Sequence, residues 1–99
     1  MEQDKFKVYA YLLTHKNSSK RSDALIAEHV AYVRKLDAEG KLVICGPFLN
    51  YKGGMVVVRA GSIEEAQKIA EVDPFVKSGF ESYDLRVWMI GCKENNFLA

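Results

Sequence analysis

The 99-residue sequence lacks the features that mark several large classes of protein. No apolar run approaches the roughly 20 residues that a membrane-spanning helix needs, and the charged start from Met1 to Lys7 is unlike a signal peptide. The two cysteines, Cys45 and Cys92, are far apart and form no metal-binding or redox pattern. They could in principle bridge, but nothing in their spacing requires it. We therefore expect a protein of the reducing cytoplasm with no membrane partner.

An excess of basic residues is also missing. The chain has 14 Lys and Arg against 13 Asp and Glu, a formal net charge of +1, whereas nucleic-acid binders carry a basic patch or stripe. The stretch 16–21 holds three basic residues among Asn and Ser, which predicts a solvated loop. Tyr9 and Tyr11 lie on a predicted strand, as in aromatic platforms for RNA, but the basic motif of such modules is absent. We expect these tyrosines to pack at an interface of the sheet, and we expect no nucleic-acid partner.

What is present is an apolar content of 48%, which is enough for one modest core. We predict a single domain over 1–99, with a core of about 5–91 and a C-terminal tail of 92–99. Gly40 is a natural stop for a first helix, Ser62 and Glu65 form a capping-box pattern before a second, and Asp73-Pro74 ends it. The predicted strands are 6–13, 42–46, 55–60 and 80–90, and the predicted helices are about 20–39 and 62–72.

This βαββαβ order is that of the α+β ferredoxin-like fold, a four-stranded antiparallel sheet with two helices on one face. The first strand is apolar on both faces, with Val8 and Ala10 on one and Tyr9 and Tyr11 on the other. Phe80, Trp88 and Ile90 of the last strand are predicted to share one face. Since two helices cover a single face, the second face predicts a face-to-face homodimer. The alternative is that the tail, with Phe97 and Leu98, covers part of it.

One histidine occupies an unexpected position on the first predicted helix. At about 100° per residue, His29 falls within the apolar arc that contains Leu25, Tyr32 and Leu36. It therefore points at the sheet or at a neighbouring helix, where an unpaired polar group is costly. Burial would lower its pKa and a nearby carboxylate would raise it. The residues alone leave open whether His29 is a proton carrier or a structural histidine.

Asp73 is a candidate partner for this histidine. His29 lies ten residues before Glu39, a rise of about 15 Å, and the second predicted helix, 63–72, climbs about 15 Å from the same end. Asp73 should therefore emerge at the height of His29. The alternative is that Asp73 caps a following short turn with Pro74 in its first position.

Other catalytic patterns are missing. His15 is predicted to be isolated in a loop, and the cysteines lack ligand spacing, so no metal site is expected. Gly53-Gly54 fits a hairpin turn rather than a phosphate-binding loop, and no serine lies in a G-x-S-x-G pattern. We expect no cofactor.

Several segments together resemble the YCII-related (YciI-like) domain family. The first half carries the run 28–33, Leu36, 40–42 and Gly46-Pro47, and the second carries 62–66, Asp73-Pro74-Phe75 and Gly79. The resemblance implies a dimeric α/β-barrel assembly of ferredoxin-like subunits, as in muconolactone isomerases. It further implies that His29 and Asp73 are the site pair and that Gly46, Pro47 and Phe75 line a pocket. A family relative removes chloride from a chlorinated hydroxyhydroquinone.

With this resemblance, we predict a lyase- or isomerase-type enzyme that acts on a small, cyclic, oxygenated molecule. His29 would move the proton and Asp73 would orient the imidazole, although the reverse division of roles stays open. The alternative is a non-catalytic dimer that binds a small ligand in the same cleft. In a third reading, His29 and Asp73 are purely structural.

Overall fold

One antiparallel sheet carries the fold, and the computed structural model describes it within residues 5–99. The spatial order of its four strands is β2-β3-β1-β4, which confirms the predicted ferredoxin-like arrangement. The strands and helices, in chain order, are β1 (Lys7–His15), α1 (Asp23–Ala38), β2 (Leu42–Pro47), β3 (Gly53–Val58), α2 (Ile63–Val72), α3 (Pro74–Lys77) and β4 (Glu81–Met89). Short 3₁₀ turns occupy Ser18–Lys20 and Lys93–Leu98.

Both long helices begin at a serine cap. The Ser22 hydroxyl accepts a hydrogen bond from the backbone N–H of Leu25 at 3.0 Å, and Ser62 accepts one from Glu65 at 3.1 Å. α1 therefore begins at Asp23, later than the predicted position near 20, since the preceding residues form a separate 3₁₀ turn. α1 is the longest described helix at 16 residues, and no helix within 5–99 has the length and apolarity to cross a membrane.

The end of β1 and the start of β3 each lie two residues from the predicted position. β1 continues to His15 because its ladder with β4 extends to the pair of His15 and Glu81. The prediction that His15 lies in a loop is therefore wrong. β3 begins at Gly53 rather than at 55, so both glycines predicted as turn residues belong to the strand. A Cβ on Gly53 would lie 1.9 Å from the carbonyl oxygen of Leu13, and only glycine allows so close an approach.

The two faces of the sheet bury different side chains, as the alternation predicts. On the open face, Val8, Ala10 and Val57 form a small buried cluster. On the face covered by the helices, the main core contains Tyr9, Tyr11, Leu13, Leu36, Val56, Val58, Ala66, Ile69 and Ala70. The placement of Tyr9 and Tyr11 at a sheet interface was wrong, because both lie beneath the helices.

Phe80 also departs from its predicted place. It precedes β4 and does not share the open face with Trp88; it is buried, with its ring beside those of His15 and Phe75. Gly79, with φ 84°, takes the left-handed conformation that favours glycine and turns the chain from α3 into β4. This turn is what sends Phe80 and Glu81 toward the core.

The open face keeps exposed apolar side chains at both edges. Ile44 on β2 is 62% exposed and Trp88 on β4 is 47% exposed. The tail does not hide them: Phe97 and Leu98 are themselves exposed, and Leu98 packs against Gly91. A large part of this face is therefore open in the single chain.

Candidate active site

A cavity of about 680 Å³ lies between α1 and the β1, β2 and β3 strands, and α3 and the start of β4 also border it. Its volume is in the range of ordinary small-molecule sites. Apolar side chains dominate its wall, with Leu13, Val33, Met55, Val56, Phe75 and Phe80 among them. Such a wall favours a small ligand with apolar faces.

His29 reaches this cavity from α1. Its Nδ1 lies 2.8 Å from Oδ1 of Asp73, and its side chain is 15% exposed. The imidazole stacks on the Phe75 ring, with centroids 3.9 Å apart and planes 5° from parallel. Because Nδ1 donates to the aspartate, Nε2 is the nitrogen that remains for a ligand in the cavity.

Asp73 is fully buried behind His29 and does not line the cavity. Its Oδ1 also accepts a hydrogen bond from the backbone N–H of Phe75 at 3.0 Å, and its Oδ2 accepts one from the Tyr11 hydroxyl at 2.8 Å. Three donors thus satisfy a buried carboxylate that would otherwise be costly. The sequence left open whether Asp73 is a helix cap or a partner of His29, and the structure shows both contacts. Asp73 caps α3, with Pro74 at the first position of that helix, and its carboxyl group contacts the His29 imidazole.

Tyr11 is a member of this group that the sequence analysis missed. It lies in the middle of β1 with its side chain toward the helices, and it is fully buried. Burial and the adjacent Asp73 carboxylate raise the pKa of its phenol, so it stays neutral and donates. The alternation of side chains along β1 indicates that Tyr11 shares a face with Tyr9 and Leu13. It does not indicate that an aspartate lies on that face.

A second tyrosine fixes α1 relative to α2. The Tyr32 hydroxyl donates a hydrogen bond to the backbone carbonyl oxygen of Ile69 at 2.7 Å. Burial and the charge of Asp73 raise the pKa of Tyr32 to about 12. Since His29 lies on α1 and Asp73 follows α2, this contact helps to set the distance between them.

The residues predicted to line a pocket are at the cavity. Gly46 and Pro47 contribute from β2, and Phe75 contributes from α3. Cys45 lines it as well: β2 is an edge strand, and this free thiol is exposed. Partial burial and the charge of Asp73 raise the pKa of the Cys45 thiol.

A second histidine and carboxyl pair borders the same cavity, and the sequence analysis did not predict it. His15 and Glu81 are cross-strand neighbours at the ends of β1 and β4, with His15 Nε2 3.2 Å from Glu81 Oε2. Glu81 is only 4% exposed, and burial raises its pKa to about 7. Burial lowers the pKa of His15, and the nearby Lys52 and Arg21 lower it further. Both groups therefore favour their neutral forms.

Two phenylalanines lie between the two pairs. The His15 ring is 4.6 Å from that of Phe80, and Phe80 meets Phe75 edge-on at 5.1 Å. His29 stacks on the other side of Phe75. The cavity thus has two ionisable pairs on one aromatic wall. No group of three His, Cys, Asp or Glu within 5–99 has a geometry that would hold a metal ion.

Positive charge borders the cavity as well. The lining residues include Arg21, which precedes α1, and Arg34, which lies on α1. Neither guanidinium forms a side-chain hydrogen bond or an ion pair with another residue in the described part of the chain. Both can therefore meet an oxygen of a bound ligand.

The fold and this cavity define a small ferredoxin-like protein with a mainly apolar cavity between its sheet and its helices. The chain belongs to the YCII-related domain family, whose model matches residues 7–89. It is 34% identical over 83 residues to the uncharacterized protein YjpA of Bacillus subtilis (strain 168), covering 84% of this chain and 98% of that protein.

Two solved enzymes share the fold. The 5-chloro-2-hydroxyhydroquinone dehydrochlorinase TftG of Burkholderia phenoliruptrix AC1100, in complex with 2,5-dihydroxybenzoquinone, is 24% identical with a TM-score of 0.66, covering 85% of this chain and 95% of its own. Muconolactone isomerase is 16% identical with a TM-score of 0.63, and the match covers 86% of this chain and 88% of the isomerase. At these identities the likeness establishes the fold.

Proposed function

We propose that this protein is an enzyme that uses His29 for general acid–base chemistry, an elimination or an isomerisation, on a small, cyclic, oxygenated molecule. The observation that carries the proposal is the chain of contacts from Tyr11 through Asp73 to His29, which ends at an apolar cavity. A histidine oriented by a buried carboxylate presents its second nitrogen in a defined direction, which is what proton transfer requires. General acid–base catalysis of this kind contributes about 10²- to 10⁴-fold to a rate.

In this mechanism Nε2 of His29 takes a proton from the substrate, and Asp73 stabilises the imidazolium that forms. Asp73 is a positioning residue, since it lies behind the histidine and does not reach the cavity. Phe75 offers a flat surface beside the imidazole, and Gly46 and Pro47 form part of the opposite wall. Arg21 and Arg34 would bind the negative charge that develops on a ligand oxygen.

The substrate class follows from the wall of the cavity and is supported by the two solved enzymes. A wall that is mainly apolar, with three phenylalanines and two arginines that have no side-chain partner within 5–99, suits a flat ring that carries oxygen atoms. The substrates that give the two enzymes their names, a chlorinated hydroxyhydroquinone and muconolactone, are both cyclic and oxygenated. We therefore choose 5-chloro-2-hydroxyhydroquinone as the first compound to test.

The test is chloride release from this compound by the wild type, His29→Gln and Asp73→Asn. We expect His29→Gln to lose activity by about 10²-fold or more, with an unchanged circular dichroism spectrum. Asn at 73 keeps one oxygen for the α3 cap but loses the charge, so it should lower kcat and change the pH titration of His29 followed by NMR. Turnover that survives in a folded His29→Gln variant would contradict the mechanism.

The non-catalytic alternative makes a different prediction in the same experiment. A ligand-binding protein would bind 2,5-dihydroxybenzoquinone, as measured by calorimetry, and would release no chloride from any related compound. Tyr83→Phe serves as the control variant, because it removes a hydroxyl that donates a hydrogen bond to the exposed Glu71, outside the cavity. It should lower stability and leave kcat close to that of the wild type.

The same proposal includes a homodimer formed through the open face. Exposed Ile44 and Trp88 flank the buried cluster of that face, and exposed apolar patches of this kind mark interfaces. Cys45 and Cys92 are free thiols, which fits the reducing cytoplasm that the sequence predicts.

A further inference from the structure

The proposed mechanism leaves one buried acid in the cavity without a role. Glu81 is 4% exposed, yet its side chain is among those that line the cavity. Buried carboxyl groups are normally paired with a cation or with several donors. Glu81 instead lies beside a single imidazole, that of His15, at 3.2 Å.

The position of Glu81 is complementary to that of His29. Glu81 and His15 are cross-strand partners on the face of the sheet that meets the helices. His29 approaches the same cavity from α1, so one ionisable pair comes from the sheet and the other from the helix layer. A ligand between the two layers would contact both.

The burial of Glu81 favours a carboxyl group that holds its proton until near neutral pH. Burial is the main cause, and the Asp73 carboxylate adds to it, while His29 acts in the opposite direction. His15 is itself kept neutral by burial and by the positive charges of Arg21 and Lys52. The pair therefore consists of an acid and an imidazole that both favour their neutral forms, whereas Asp73 contacts Tyr11, His29 and the backbone N–H of Phe75.

We propose that Glu81, held in place by His15, is the general acid of this cavity and gives a proton to the substrate while His29 accepts one. This inference rests on the proposed function. It assigns a direction to the chemistry: the base is on α1 and the acid is on β4.

The step balances for an elimination. His29 takes the proton of a C–H or O–H bond, the electron pair left behind forms a new double bond, and the bond to the leaving group breaks with its electrons on that group. Glu81 donates its proton to the leaving group or to a ligand oxygen and becomes a carboxylate. A proton passed from the His29 imidazolium to Glu81 through water restores both residues. In an isomerisation, the Glu81 proton is added at a second carbon of the same molecule.

The first test measures the titration of the Glu81 carboxyl group in the absence of substrate. Carbon-13 NMR of the glutamate carboxyl groups is followed against pH in the wild type, with Glu81→Gln to assign the signal and Glu71→Gln as the matched control. Glu71 is an exposed glutamate that accepts a hydrogen bond from Tyr83, outside the cavity. We expect the Glu81 signal to titrate near neutral pH, and Glu81→Gln to displace the His15 titration. A Glu81 signal that titrates near the ordinary pKa of 4.5, with His15 unaffected, would overturn the proposal.

The second test is the pH profile of kcat/KM for chloride release from 5-chloro-2-hydroxyhydroquinone. A reaction that needs a protonated acid loses rate as the pH rises, and this alkaline limb of the profile reports Glu81. Glu81→Gln should lower kcat by about 10²-fold and remove the alkaline limb, which a merely structural role would leave in place. An unchanged limb and kcat in this variant would overturn the acid role.

The two proposals fail in different ways. If the wild type releases no chloride, the proposed reaction fails for this compound, and the carboxyl titration still supports or overturns the protonated Glu81. If His29→Gln keeps its turnover while Glu81→Gln loses it, the assigned base is wrong and the acid stands.

Discussion

Replacement of Glu81 by glutamine tests the buried acid through the free energy of unfolding, independently of any reaction. The folded protein raises the pKa of Glu81 from its ordinary value of 4.5 to about 7. A group with a raised pKa binds its proton more tightly in the folded state than in the unfolded state. Its contribution to stability is therefore fully present below about pH 4.5 and is lost as the pH rises through about 7. Glutamine has the same shape as the protonated acid but does not titrate.

The expected magnitude follows from the same two values. One pKa unit corresponds to about 1.4 kcal/mol, so the rise from 4.5 to about 7 amounts to roughly 3 kcal/mol. The difference in unfolding free energy, wild type minus Glu81→Gln, should therefore be constant below about pH 4.5, fall by roughly 3 kcal/mol up to about pH 7, and be constant again above it. Above about pH 7, Glu81→Gln should have a higher free energy of unfolding than the wild type.

Urea denaturation between pH 4 and 8 measures this difference, with Glu71→Gln as the control for the same substitution at an exposed carboxylate. His15 acts with the opposite sign, because its pKa is lowered and its contribution is lost as the pH falls. Introducing His15→Gln into both the wild type and Glu81→Gln removes the contribution of His15 from the comparison. A difference between the wild type and Glu81→Gln that does not change with pH would refute the buried, protonated acid.

Two further predictions concern the positioning of the aspartate and the open face. Tyr11→Phe should lower the free energy of unfolding by about 1–3 kcal/mol, because it removes a buried donor to Asp73. Urea denaturation measures this loss, with Tyr9→Phe as the control, since the Tyr9 hydroxyl has no hydrogen-bond partner within 5–99. Equal losses in the two variants would contradict the role of Tyr11. Trp88→Lys should convert a dimer into a monomer in sedimentation experiments, since it adds a charge to the open face. A wild type that sediments at the 11.2 kDa of one chain at micromolar concentration would contradict the dimer.

Local signals predicted most of the fold. The alternation in β1 identified both faces of the sheet, and the Ser62 cap located the start of α2. The end of β1 was missed because Thr14 to Ser19 is polar in composition, whereas the ladder with β4 continues to His15. Strand length there depends on a partner 66 positions away in the sequence, and composition carries no information about that partner.

The candidate site was predictable to a similar extent. Helix periodicity and helix length were sufficient to bring His29 and Asp73 together, since both are properties of single elements. Tyr11 and Glu81 needed the packing of strands against helices. An acidic residue in the helix-facing register of β4 was a signal for Glu81, but without the position of His15 it had no partner and no place in a cavity.

The contrast between the two carboxyl groups explains how one small cavity could hold a base and an acid. Asp73 lies where a helix ends and another begins, so the backbone N–H of Phe75 joins Tyr11 and His29 as hydrogen-bond partners. Glu81 lies within a strand, where the backbone N–H groups bond the neighbouring strand and cannot turn toward a side chain. Within residues 5–99 its ion-pair contact is with the imidazole of His15, and its burial favours the proton. The secondary structure on which each carboxyl group is placed therefore determines which hydrogen-bond donors it meets.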